Sequence, residues 1–151
     1  MKWTRGSAVI GQLLAEGRLE RITGAAADGS ALQDSADGLL ASARRELERN
    51  PEAAFILAYD AARKSATGLL AQQGLRPKAP GHHLTVEAAV RAQFGGPFDA
   101  FGGLRRRRGE IEYPRRPGDD VIGGEAEEAV DSVERILSAA RKLIDALELY
   151  A

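Results

Sequence analysis

Apolar residues in this chain recur at steps of three and four, the period of a helix face, and strand-like alternation is nearly absent. Val9, Ile10, Leu13, Leu14, Leu19 and Ile22 predict a helical segment over 7–22, which Gly17 divides into a helix and a short following turn. "TGAAADGS" reads as a linker. Leu32, Ala36, Leu39, Leu40, Ala43 and Leu47 then share one face of a helix that ends at "RNPEAA". Asn50 is placed there to cap the next helix, and Pro51 to fill its first turn, where a missing N–H costs nothing. That helix runs from Pro51 to about Gln73, with Phe55, Tyr59, Ala62, Ala66, Leu69 and Leu70 along one side. Gly74 fits a helix-ending position, and "LRPKAPG" is a proline-rich connection. A third helix spans His82 to Phe94 and stops at "GGP", and Pro97 opens a fourth that carries a run of arginines. The last helix is secure from Glu125 and ends near Leu149, with Val130, Val133, Leu137, Ala140, Ile144 and Leu147 as its stripe. The expectation is an all-α, up-and-down bundle of four main helices plus a short amino-terminal helical segment. The segment and its linker take residues 1–28, and the bundle takes 29–151.

Composition refines this picture in a few places. With 151 residues, 44% apolar and 28% charged, the chain suits one soluble domain with a single core. Aromatics are only 5% and alanine is abundant, so that core is built from small side chains and close helix contacts. The absence of cysteine excludes disulfides and thiolate chemistry. No apolar run approaches the roughly 18 residues of a membrane span, and the amino terminus meets Glu16 too soon for a signal sequence. A cytoplasmic location without a membrane partner is therefore expected. A net charge of −1 gives no global pull toward nucleic acid, so any anion-binding surface is local.

That local surface is "FDAFGGLRRRRGEIEYPRR", residues 98–116, which holds six arginines. Advancing about 100° per residue from Phe101 puts both Arg108 and Glu112 about 20° away from it, within the stripe of Leu104 and Ile111. Arg106 and Arg107 fall on the opposite side and are expected in solvent. Together with Arg105, Arg115 and Arg116 they are candidate phosphate contacts, weak and salt-dependent. Tyr113 is the one aromatic well placed to stack on a base, so base-specific recognition is not expected. Arg108 and Glu112 read as a structural i, i+4 pair at the core edge. The sharper reading is a guanidinium held inward to grip a phosphate or a partner's carboxylate.

His82 and His83 are the only histidines, and adjacent helical residues point too far apart to share a metal. His83 and Glu87 have no third ligand nearby, so neither a metal nor another cofactor is expected. The pair is expected to cap the third helix or face solvent, with a proton-carrying role beside Arg108 left open. Asp60 and Lys64 form a surface pair, while Asp60 or Arg63 could line a groove facing the arginine helix. "FGGPFDAFGGL" lacks the lysine and the preceding strand of a phosphate-cradling loop.

"RGEIEYP", Arg108 to Pro114, within a helical chain of this size, resembles the HEPN family. Many of its members carry R-x4-H late in the fourth helix, and some carry Arg-x-x-x-acidic-Tyr instead. "AYDAARKSATGLLAQQGLRP" followed by "GHHLTVEAAVRAQFG" is similar to the second and third helices of an actinobacterial branch. The resemblance covers about residues 30–150. It implies a four- or five-helix bundle, often a homodimer across the motif helix, and often a metal-independent RNase paired with a nucleotidyltransferase. Carried onto this chain, the motif positions are Arg108, Glu112 and Tyr113, with Tyr113 standing where the histidine would be. An unperturbed tyrosine is ionised to only about 0.1% at pH 7. The expectation is a HEPN-like protein that binds a nucleotide, RNA or partner protein around Arg108 without efficient RNase turnover. The rivals are a metal-independent RNase using Arg108 with Glu112 or Tyr113, and the partner of a nucleotidyltransferase with Tyr113 as acceptor.

Overall fold

A computed structural model describes residues 3–78 and 82–150. Six α-helices account for most of this length: α1 (Ser7–Ala15), α2 (Ser30–Glu46), α3 (Pro51–Gln72), α4 (His82–Phe94), α5 (Phe101–Glu112) and α6 (Gly123–Ile144). The architecture is an all-α helical bundle built around α3. That helix buries residues on every side, among them Ala54, Phe55, Ala58, Tyr59, Ala62, Leu69 and Leu70, as a helix enclosed by neighbours does. α2, α4, α5 and α6 all pack against it.

Local signals placed the start of α3. The Asn50 side chain accepts from Ala53 N–H at 3.1 Å, and Pro51 sits at the first turn. At the far end Gly74 takes the left-handed conformation, φ 71°, that a helix stop requires. Two buried amide contacts then lock α3 in place. Gln73 and Gln93 donate to each other at 2.6 and 3.0 Å, tying the end of α3 to α4. Ser65 Oγ donates to Gln33 at 2.9 Å, tying α3 to α2. Both pairs satisfy groups that would otherwise be costly to enclose.

The chain departs from its expected pattern in three places. Leu19–Arg21 is a strand, β1, and not the short turn expected after Gly17, and it pairs antiparallel with β2 (Leu75–Pro77) in the register Leu19 with Pro77. The proline-rich connection is thus half strand, and three-residue strands are too short to show alternation. α5 starts at Phe101 after a 3-10 turn over Gly96–Ala100, so Pro97 opens the turn and not the helix. α6 ends at Ile144, five residues before Leu149. Its tail leaves the helix because it docks elsewhere: Tyr150 N–H donates to Gln73 O at 2.8 Å, Tyr150 Oη donates to Ser7 O, and Leu147 is buried. Ile10, Leu13 and Leu19 of the amino-terminal segment belong to the same core as the bundle. Among the described residues no helix is long and apolar enough to cross a membrane.

Candidate anion-binding site

The arginine helix α5 lies against α3 and α4, and its inward side meets polar residues on both. Tyr59, Asp60 and Arg63 from α3, His83 from α4, and Arg108 and Glu112 from α5 line one groove of about 520 Å³. Asp60 and Arg63 therefore do face the arginine helix. They pair loosely with each other at 3.9 Å, while Lys64 turns away to donate to Ser35 Oγ at 2.9 Å. Arg108 is partly covered and donates to Glu112 at 3.3 Å, the i, i+4 pair expected of it. Arg63 Nε is buried and has no hydrogen-bond partner.

His83 is the residue that sequence reasoning placed least well. Its ring does not stand free in solvent. It stacks on His82 with centroids 4.4 Å apart, and its Nδ1 lies 3.0 Å from Tyr59 Oη. Tyr59 is almost wholly enclosed, and burial pushes its hydroxyl pKa up to about 12, with Arg63 and Arg105 pulling the other way. The hydroxyl therefore keeps its proton at neutral pH, and the direction of its bond to Nδ1 follows the tautomer of the imidazole. Desolvation first, then His82 and the Arg63 and Arg108 guanidiniums, lower the His83 pKa below 6.5, and Asp60 opposes them.

This shift has a sign that can be measured. The unfolded chain takes up a proton at His83 before the folded one does, so stability is lost as pH falls from 6.5 through the lower folded value. A His83→Gln variant is expected to show a flatter fall of thermal midpoint over that window than the wild type. Ring-proton NMR should place His83 below 6.5.

The remaining arginines divide in a way the helical projection did not anticipate. Arg106 is exposed as expected, and so are Arg115 and Arg116. Arg107 is not in solvent. Its side chain is 16% exposed, less than Arg105 at 28% or Arg108 at 25%. It donates through Nε to Glu125 Oε2 at 2.6 Å and through Nη2 to Glu125 Oε1 at 3.3 Å, with Glu110 and Asp119 also within ion-pair reach. Glu125 comes from the start of α6, Asp119 from the loop before it and Glu110 from α5 itself, so Arg107 joins two helices. Arg105 likewise has a structural partner: its Nε donates to Glu87, which is buried on α4.

Tyr113 parts company with Arg108. It is the residue after α5, 75% exposed, and it lines a second groove of about 610 Å³ with Arg106, Arg115 and Arg116. Arg108 and Glu112 are brought together in one groove, and Tyr113 belongs to the other. Arg105 and Gly109 line both.

No family model matches the chain, and no curated protein or solved structure matches it either.

Proposed function

We propose that the groove between α3, α4 and α5 binds a phosphate group. On this reading the chain is a HEPN-like domain that holds a nucleotide or RNA there without efficient ribonuclease turnover. The observation that carries it is the convergence of Arg63, Arg105 and Arg108 on one groove, with Arg63 Nε–H left without an acceptor inside the protein. A buried N–H left unpaired costs about 1–3 kcal/mol, and rotation of the Arg63 side chain toward a bound phosphate would remove that cost. Arg105 and Arg108 add two guanidiniums, whose planar forks suit an oxyanion. His83 adds a ring nitrogen to the same lining.

Binding is favoured over turnover by the state of the groups beside Arg108. Cleavage through a ribose hydroxyl needs an unoccupied base facing it. The Nδ1 of His83 is engaged by Tyr59, Glu112 is engaged by Arg108, and the Tyr113 hydroxyl lies in the neighbouring groove.

Calorimetric titration with pyrophosphate and with 5′-AMP tests the reading. Both should bind, and Arg108→Ala should weaken each by on the order of tenfold, the loss of one charge-assisted contact. Arg63→Lys, which removes the Nε–H and keeps the charge, should also weaken them. An RNA oligonucleotide incubated with the protein in chelator should stay intact. Binding that ignores both substitutions would remove the reading. Chelator-resistant cleavage that disappears in Arg108→Ala would replace it with the RNase.

A further inference from the structure

The two grooves flank one helix and meet at Gly109. A glycine inside a helix lowers its stability by roughly 1 kcal/mol relative to alanine. No packing contact requires it at this point: a Cβ built on Gly109 meets nothing within 4 Å. With no side chain there and both grooves lined by it, Gly109 is a saddle in the rim of α5 where the two adjoin.

Charge is arranged along the same line. Arg106, Arg115 and Arg116 form no ion pair among the described residues, whereas Glu110 and Asp119, the two carboxylates of their groove, are both within reach of Arg107 underneath. Arg107 thus screens the acids and leaves the outer arginines available. Tyr113 stands among them with three quarters of its surface in water, although it is a large aromatic side chain.

From this arrangement we infer that the ligand of this face is a single-stranded oligonucleotide. One phosphate is held in the Arg108 groove, the backbone crosses α5 at Gly109, and a base stacks on Tyr113 while the next phosphates meet Arg106, Arg115 and Arg116. The inference rests on the phosphate-binding reading of the first groove and adds the class and length of the ligand. Exposed arginines track a flexible polyanion, and an aromatic face accepts any base, so contact is sequence-tolerant and salt-dependent.

The experiment compares a 5′-mononucleotide with 5′-phosphorylated octamers of RNA and of DNA, and with linear polyphosphate of matching charge. Wild-type protein should bind either octamer at least thirtyfold more tightly than the mononucleotide. In Arg115→Ser/Arg116→Ser that ratio should fall at least fivefold, and the logarithmic salt slope should drop by about 1.4, or roughly 0.7 per lost phosphate contact. Tyr113→Ser should weaken octamers on the order of tenfold. Gly109→Gln fills the saddle with a better helix former, so it should raise the thermal midpoint and yet lower the octamer ratio. A purely structural Gly109 would not give that opposition. The RNA and DNA arms decide whether a 2′-hydroxyl is read. An octamer that binds no better than the mononucleotide overturns the inference, and so does a ratio untouched in all three variants. Polyphosphate binding as tightly as the octamers overturns the nucleic-acid assignment. Loss of mononucleotide binding in Arg108→Ala tests the first groove by itself, so the two readings fail separately.

Discussion

A Gly29→Ala variant is expected to lose about 3 kcal/mol or more, with a thermal midpoint lowered by roughly 6–12 °C, as overpacking of a close contact does in a domain of this size. The cause is the crossing of α2 over α3. A Cβ at Gly29 would lie 1.9 Å from Gly68 O, 2.6 Å from its carbonyl carbon and 3.0 Å from its Cα. All three are backbone atoms, so no side chain can rotate away and the helices must separate. Gly29 has φ −97° and ψ 0°, which alanine adopts freely, so the loss reports the crossing distance and not backbone strain. Gly68→Ala makes a useful contrast. Its Cβ would be 3.1 Å from Gly29 O and 3.2 Å from Leu32 Cβ, and its gain in helix propensity of about 1 kcal/mol offsets part of that crowding. Gly38→Ala, on open surface in the same helix α2, should be neutral or slightly stabilising. Urea denaturation of the three proteins checks the order. If Gly29→Ala matches the wild type, α2 and α3 do not approach as closely as described.

What was legible along the chain was what depends on neighbours in sequence. Asn50, Pro51 and Gly74 act on the backbone within a turn of themselves, so they mark the ends of α3 correctly. The helix faces were legible because a helical stripe needs only its period. The misplaced parts all depend on a distant segment. Leu19 and Ile22 fit a helical spacing, but Leu19–Arg21 is captured as a strand by Leu75–Pro77, more than fifty residues away. Leu147 fits the α6 stripe, yet it is buried in a tail that has left the helix. The geometry of α5 alone puts Arg107 in solvent, whereas Asp119 and Glu125, which help to enclose it, come from the loop and helix that follow. For His83 a usable signal did exist. Tyr59 lies on an apolar stripe, a buried tyrosine hydroxyl requires a partner, and the polar start of α4 was the place to look for one.

Glu87→Gln should lower stability and raise phosphate affinity together. The Glu87 carboxylate is buried beneath the arginine helix, where Oε1 accepts from Arg91 Nη1 at 3.3 Å and Oε2 accepts from Arg105 Nε. It reaches that position because α5 presents no side chain at Gly102, where a Cβ would stand 2.6 Å from Oε1. The glutamine amide keeps the shape but loses the charge, and its NH₂ faces one of two guanidiniums that it cannot accept from. Hydrogen bonds to charged groups contribute about 1.5–3 kcal/mol. Both arginines retain solvent access, which discounts the loss to about 2 kcal/mol. The effect on the groove has the opposite sign. Arg105 lines it, and with Glu87 neutral its charge is no longer offset, which should strengthen pyrophosphate binding on the order of fivefold at an effective dielectric near 20. A carboxylate that served only to hold α4 against α5 would give weaker folding with unchanged binding. One that aimed Arg105 at the ligand would give weaker folding and weaker binding. Urea melts and pyrophosphate titrations on the same preparation separate the three cases. Only the crossed result, a weaker fold with a tighter complex, fits a groove whose cations are held in reserve by a buried acid.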